Sequence, residues 1–247
     1  MFVIFIYQHC LVNILVINKM SGHSVIFKLS GNTSTLTSEF SDPLVLDDNV
    51  DYGIGLTNFE TYHSFPNVIE GVNNKMFLGP MEIELPTGAY ELEDIEEFIK
   101  KRVAPMNFKL KGNRNTLKCH LECDYAVLFT REGTLAPLLG FHNVDLEPGV
   151  EHISANPVNI MTVNAVCIDC NIATGSYDNG IPGHLIYHFY PLVPVGAKIV
   201  ESPDTLIYLP ITVKEIRSLI VKIVDQDGKL LNLRGETVTV GLHLKAI

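Results

Sequence analysis

Residues 218–247, SLIVKIVDQDGKLLNLRGETVTVGLHLKAI, decide how the whole chain is read. Asp225-Gln226-Asp227-Gly228 suits either a fragment of a calcium loop or a β-turn. A helix-flanked calcium loop wants three Asp/Asn residues at alternate positions, then Gly, and a Glu at the twelfth position. Here only the last acidic residue and the Gly fit. The flanks alternate, with Leu219, Val221 and Ile223 before the turn and Val238, Val240, Leu242 and Leu244 after it. Residues two apart on a strand share a face, and Asp-Gly between two such runs is a hairpin signal. The stretch predicts the connection between the last two strands of a sandwich, begun by 225–228, completed by 229–235, and needing no calcium.

Working outward, the same alternation recurs at 24–29, 44–46, 52–65, 75–86, 116–129, 159–172, 184–191 and 204–211, with a Ser/Thr/Asn-rich loop expected at 30–38. One segment departs from it. In LPTGAYELEDIEEFIKKRV, Leu92, Ile95, Phe98 and Ile99 fall at helical spacing. Acidic residues come first and Lys100, Lys101 and Arg102 last, as a helix dipole favours, and Pro105 ends the run. A second helical turn is expected in TLAPLLGF (134–141), closed by Gly140. About ten short strands with one solid helix near 91–104 predict an all-β fold, a single jelly-roll β-sandwich over residues 20–247.

Composition narrows the function classes. The chain has 247 residues, 47% of them hydrophobic and 19% charged, and carries a net charge of −10. Such a chain folds, and its acidity argues against a phosphate-binding surface. Lys100, Lys101 and Arg102, followed by Lys109, Lys111 and Arg114, read as a solvated helix end and loop rather than a nucleic-acid patch. Five cysteines, an odd number, fit a reducing intracellular setting better than a disulfide framework. Residues 1–19, MFVIFIYQHCLVNILVINK, are apolar but broken by Gln8, His9 and Asn13. They read as an extension outside the fold, with an uncleaved signal anchor as the competing reading.

No catalytic, cofactor-binding or metal-ligating residues are assigned. Cys119 and Cys123 share a strand face but lie about 13 Å apart, whereas Cys167 and Cys170, three apart, point to opposite faces. Neither pair is shaped for zinc, so buried thiols are expected. His63, His142, His152, His184, His188 and His243 are scattered, and Glu91, Glu93, Asp94, Glu96 and Glu97 spread around a helix. Ser176 sits in GSYDNG, a turn sequence, and no nucleophile or phosphate-loop motif occurs.

LTNFETYHSFPNV, LPTGAYELEDIEEFIK, LAPLLGF, GSYDNG with HLIYHFYPLVPVGAKIVESP, and IVDQDGKLLNLRGETVTVGLHL together resemble capsid proteins encoded by polintons and adintoviruses, of the adenovirus-like lineage. The resemblance covers roughly residues 50–247. Some 225 residues after Met20 are too few for two jelly rolls of eight strands each, so the likeness is to the penton, or vertex, protein. It implies a structural role rather than an enzymatic one. A homopentamer in contact with major capsid protein is implied, located in the virion and in the host cell interior during assembly. It implies no small molecule, no direct nucleic-acid binding, and no membrane contact except through residues 1–19. Contacts are expected on the loops 142–158 and 173–183. Competing readings are a minor or partial major capsid protein, a lectin-like or TNF-like binding module, and a cysteine-ligated zinc protein.

Overall fold

The computed structural model describes residues 24–247, so the expected extension at 1–19 lies outside the described residues. In chain order the elements are β1 (Ser24–Gly31), β2 (Thr35–Val45), β3 (Tyr52–Tyr62), β4 (Lys75–Leu78), β5 (Met81–Glu84), α1 (Leu92–Val103), β6 (Phe108–Gly112), β7 (Lys118–Cys123) and α2 (Ala136–Leu139). There follow β8 (Glu151–Pro157), β9 (Val166–Cys170), β10 (Ser176–Asp178), β11 (Ile181–Gly183), β12 (Leu185–Phe189), β13 (Lys198–Glu201), β14 (Leu209–Pro210), β15 (Glu215–Val224) and β16 (Val238–Ala246).

These elements fall into two compact units, one of residues 24–64 with 163–247 and the other Phe65–Thr162. In the first unit, one sheet runs β1-β16-β3-β13, with β14 also on β3, and the other runs β12-β9-β15-β2. All pairings in this unit are antiparallel. Four of them are nested, while β16 on β3 and β15 on β9 join these pairs into sheets. β1 takes β16, β2 takes β15, β3 takes β13, and β9 takes β12. That is the order of a long hairpin rolled into two sheets, a jelly roll. The tip of this rolled hairpin is the β10–β11 ribbon, turned by Asn179 (φ 48°) and Gly180 (φ 85°). Two successive positive φ values are what a two-residue hairpin turn demands, and Asn-Gly supplies them at least strain.

Alternation explains the core of this unit. Phe27 and Leu29 of β1, Ile54, Leu56 and Phe59 of β3, and Val240, Leu242 and Leu244 of β16 are buried from one sheet. Leu36, Val166, Ile168, Leu219, Val221 and Ile223 are buried from the other. The aromatic pairs Phe59–Phe189 (centroids 5.2 Å apart) and Phe27–Phe40 (6.0 Å) each take one ring from either sheet.

The second unit has its own core, with Met76, Leu78, Ile95, Ile99, Phe108, Leu110, Leu121 and Phe129 at its centre. The expected helix is α1, which buries Leu92, Ile95, Ile99 and Val103. Its first turn is closed by the Glu91 N–H donating to Asp94 Oδ2 at 3.0 Å. The expected second turn is α2, where Gly140 caps the end at φ 78° and donates its N–H to Pro137 O. In the β6-β7-β8 sheet the register shifts between Lys118 and His120. The Cys119 N–H there donates to buried Ser154 Oγ at 2.9 Å, and Ser154 donates in turn to Asn156 O.

Several sequence expectations change. The single domain expected over 20–247 shows its jelly-roll strands only at 24–64 and 163–247, because 65–162 collapse on a separate apolar set. The loop expected at 30–38 shrinks to the turn between β1 and β2, since buried Leu36 and Ser38 alternate with the more open Thr35, Thr37 and Glu39 as in any strand. Of the run 204–211 only Leu209 and Pro210 pair in a sheet. Finally, β15 and β16 lie in different sheets and do not pair with each other. The Asp-Gly turn closes a small hairpin instead, in which Val224 bridges to Leu230 and Leu231 N–H donates to Ile223 O.

Candidate interaction surfaces

Most side chains singled out for chemistry are occupied in holding the fold. Asp225 Oδ1 accepts the N–H groups of Asp227 and Lys229, both at 2.9 Å, and Gly228 stands at φ 75°. That carboxylate is a turn anchor. Gln226 Oε1 accepts Asn164 N–H at 3.0 Å. On β7, Cys119 and Cys123 are buried on the same face, and on β9 Cys170 is buried while Cys167 lies on the other face and is half-buried. Burial pushes the Cys119 thiol up to about 12 and that of Cys170 to about 11, because a thiolate loses its hydration there. Among the described residues, no three His, Cys, Asp or Glu side chains gather as a metal site.

Four of the histidines tie loops to strands or to each other. His63 Nδ1 bonds Val193 O at 2.7 Å, His184 Nδ1 bonds Ala173 O at 2.7 Å, and His152 Nε2 bonds Glu147 O at 2.9 Å. His243 sits between Ser24 Oγ (2.6 Å from Nε2) and Tyr208 Oη (2.7 Å from Nδ1). Partial burial, with Lys245 adding repulsion, holds its imidazole below the usual histidine value. The helix charges also find partners. Glu96 meets Lys100 at 2.7 Å, Glu97 meets Lys101 at 2.6 Å, and the Arg102 guanidinium lies 3.4 Å above the Phe98 ring. Ser176 belongs to the β10–β11 ribbon, and among the described residues no histidine or carboxylate bonds to it.

The connections are where large apolar side chains meet solvent. On the β10–β11 ribbon Tyr177 is 68% and Ile181 70% exposed. They pair with different residues across the ribbon, Tyr177 with Pro182 and Ile181 with Asp178, so both faces of the ribbon carry an open apolar group. Between β12 and β13, Tyr190, Leu192 and Val195 are open, Leu192 at 93%. In 142–158, Val144, Val150 and Ile153 are exposed, the last on β8. A two-stranded ribbon has no core of its own, and clustered exposed apolar groups mark contact surfaces. The loop 173–183 and part of 142–158 were legible as candidate surfaces. Tyr190, Leu192 and Val195 were missed. The signal for them was FYPLVPVG, apolar residues between prolines that cannot extend a strand.

No protein-family model matches this chain, and neither does any curated protein. Among solved structures, it is similar to the mavirus penton protein, known from a crystal structure of its SeMet-labelled form. The two are 10% identical, with a TM-score of 0.49 over 91% of this chain and 100% of that one. Among the described residues no helix is long and apolar enough to cross a membrane.

Proposed function

We propose that the chain is a structural capsid protein, a penton-like vertex subunit of the adenovirus-like lineage and of the kind that polintons and adintoviruses encode. Five copies close a ring and contact major capsid protein, in the virion and, during assembly, inside the host cell. The role is structural rather than catalytic. The observation that carries the reading is a jelly roll of two antiparallel sheets whose connections hold out Tyr177, Ile181, Tyr190 and Leu192. A rigid core with open apolar connections suits a subunit whose partners cover them, and contacts between unlike patches close into rings when the rotation allows. The resemblance of the segments quoted above to polinton and adintovirus capsid proteins, over roughly 50–247, is what supports the lineage.

Light scattering on the full-length purified chain tests this. The expected mass is about five times 27.4 kDa, with further assembly on adding the lineage's major capsid protein. A single monomeric species at micromolar concentration, inert to that protein, overturns the reading.

A further inference from the structure

The chain segregates its charges. Residues 98–121 hold Lys100, Lys101, Arg102, Lys109, Lys111, Arg114 and Lys118 without one Asp or Glu. Residues 29–74 hold Glu39, Asp42, Asp47, Asp48, Asp51, Glu60 and Glu70 without one Lys or Arg. Pairing within the chain consumes part of each set. Lys100 and Lys101 meet Glu96 and Glu97, Arg102 lies on Phe98, and Lys109 meets Glu122 at 2.9 Å. Glu60 meets Lys198 at 2.7 Å.

Of what remains, Glu39 and Glu70 lie apart, and two groups are close in sequence. At the β6–β7 turn, Lys111, Arg114 and Lys118 make no ion pair among the described residues, although Lys111 is near enough to Glu96 to favour its charged form. The same turn holds Leu117 at φ 58° and 61% exposed. Gly or Asn takes that conformation far more readily than a bulky apolar residue does. In and beside the β2–β3 connection, Asp42, Asp48 and Asp51 are exposed and form no ion pair among the described residues, and Val45 beside them is 74% exposed. Lys214 reaches this connection but spends its ammonium on the Val50 and Asp47 carbonyls, leaving the carboxylates open.

Building on the assembly reading above, we infer that the β6–β7 turn of one copy docks on the β2–β3 connection of a second copy. Lys111, Arg114 and Lys118 face Asp42, Asp48 and Asp51, and Leu117 covers Val45. A prong meeting an unlike surface is a heterologous contact, the kind that repeats around a ring. A second copy fits better than nucleic acid. The prong offers three cations without an ion pair among the described residues, with Glu122, Asp124 and Glu151 around Lys109 at its base, whereas duplex binders commonly neutralise about six to ten phosphates.

Sedimentation velocity on the full chain, at low and high sodium chloride, tests the contact. The Lys111→Glu/Arg114→Glu/Lys118→Glu variant and the Asp42→Lys/Asp48→Lys/Asp51→Lys variant should each self-associate at least about tenfold more weakly than wild type. Mixing the two variants restores opposite charges at the contact, and association should return. Salt should weaken the wild-type contact, since screening shortens to about 3 Å at 1 M. As a second route, Leu117→Asn should raise the melting temperature by a few degrees while lowering association. Wild type that assembles while both charge reversals leave assembly unchanged overturns this contact alone. Wild type that stays monomeric at every salt concentration overturns the contact and the assembly reading together. Duplex DNA bound by wild type and lost in the Lys/Arg reversal, with self-association untouched, assigns the prong to nucleic acid instead and also overturns it.

Discussion

Replacing Gly140 by alanine should unfold the second unit well before the wild type, and the size of the effect follows from local geometry. Gly140 stands at φ 78°, closing α2, and a methyl there meets the Asn156 and Pro157 carbonyl oxygens, the latter at 2.8 Å. Those oxygens belong to the backbone of β8, which the Asn156 N–H ties back to Gly140 O at 2.9 Å, so neither side is free to retreat. An L-residue in this conformation costs about 1–2 kcal/mol, and forcing a methyl into occupied space adds about 1–3. The expected loss is therefore about 2–5 kcal/mol, a large share of a typical stability of about 5–15. Thermal unfolding followed by circular dichroism should show the melting point of this unit fall by roughly 4–8 °C per kcal/mol, as for a domain of about 100 residues. A fall of under 2 °C, with an unchanged spectrum, would falsify the claim that this glycine is required by its conformation and neighbours.

Phe59→Ala should cost the jelly roll about 3–5 kcal/mol, since the ring is fully buried against Phe189; urea unfolding that shows less than 1 kcal/mol would place that core elsewhere. His243 is held below its ordinary value of about 6.5, so its neutral form belongs to the fold. Its stabilisation is complete above that value and drains away as pH falls through the folded one. His243→Gln should flatten the loss of stability between pH 7.5 and 5, and an identical slope in both proteins would remove His243 as a cause. In a Cys10→Ser background, a thiol reagent should find Cys167 in the native protein and reach Cys119, Cys123 and Cys170 only after denaturation. More than one fast native thiol would contradict the burial.

Local patterns carried much of the fold. Leu219, Val221 and Ile223 announce β15 because a period of two needs only neighbouring residues to be read. Leu92, Ile95 and Ile99 announce α1 in the same way, and Gly140 and Asn179-Gly180 mark places where the backbone needs positive φ. Among the strands missed, β8 and β13 bury a single side chain each, Ser154 and Ile199, so no alternation can be seen, and the β10–β11 ribbon buries none. β6, with Phe108 and Leu110 buried, and the start of β2, with Leu36 and Ser38 buried, do alternate but are too short or too polar to stand out.

The exposed surfaces were partly legible. Loop 173–183 stood out by its Asn-Gly turn, while the bareness of Leu192 or Leu117 depends on what fails to pack over them. So does the isolation of Lys111, Arg114 and Lys118. The run 98–121 shows a block of cations, yet only the folded chain shows that Glu96, Glu97 and Glu122 claim Lys100, Lys101 and Lys109 and leave the others open.

By itself the sequence determined that this is an all-β chain with one solid helix, turned at Asp-Gly and Asn-Gly. The tertiary structure alone decided that Ser24 lies opposite Lys245, that β15 and β16 part into different sheets, and that 65–162 gather a core of their own. The reason is range. Strand character and turn chemistry are settled among adjacent residues, whereas the partner of an edge is chosen by every other strand that competes to bury the same apolar face.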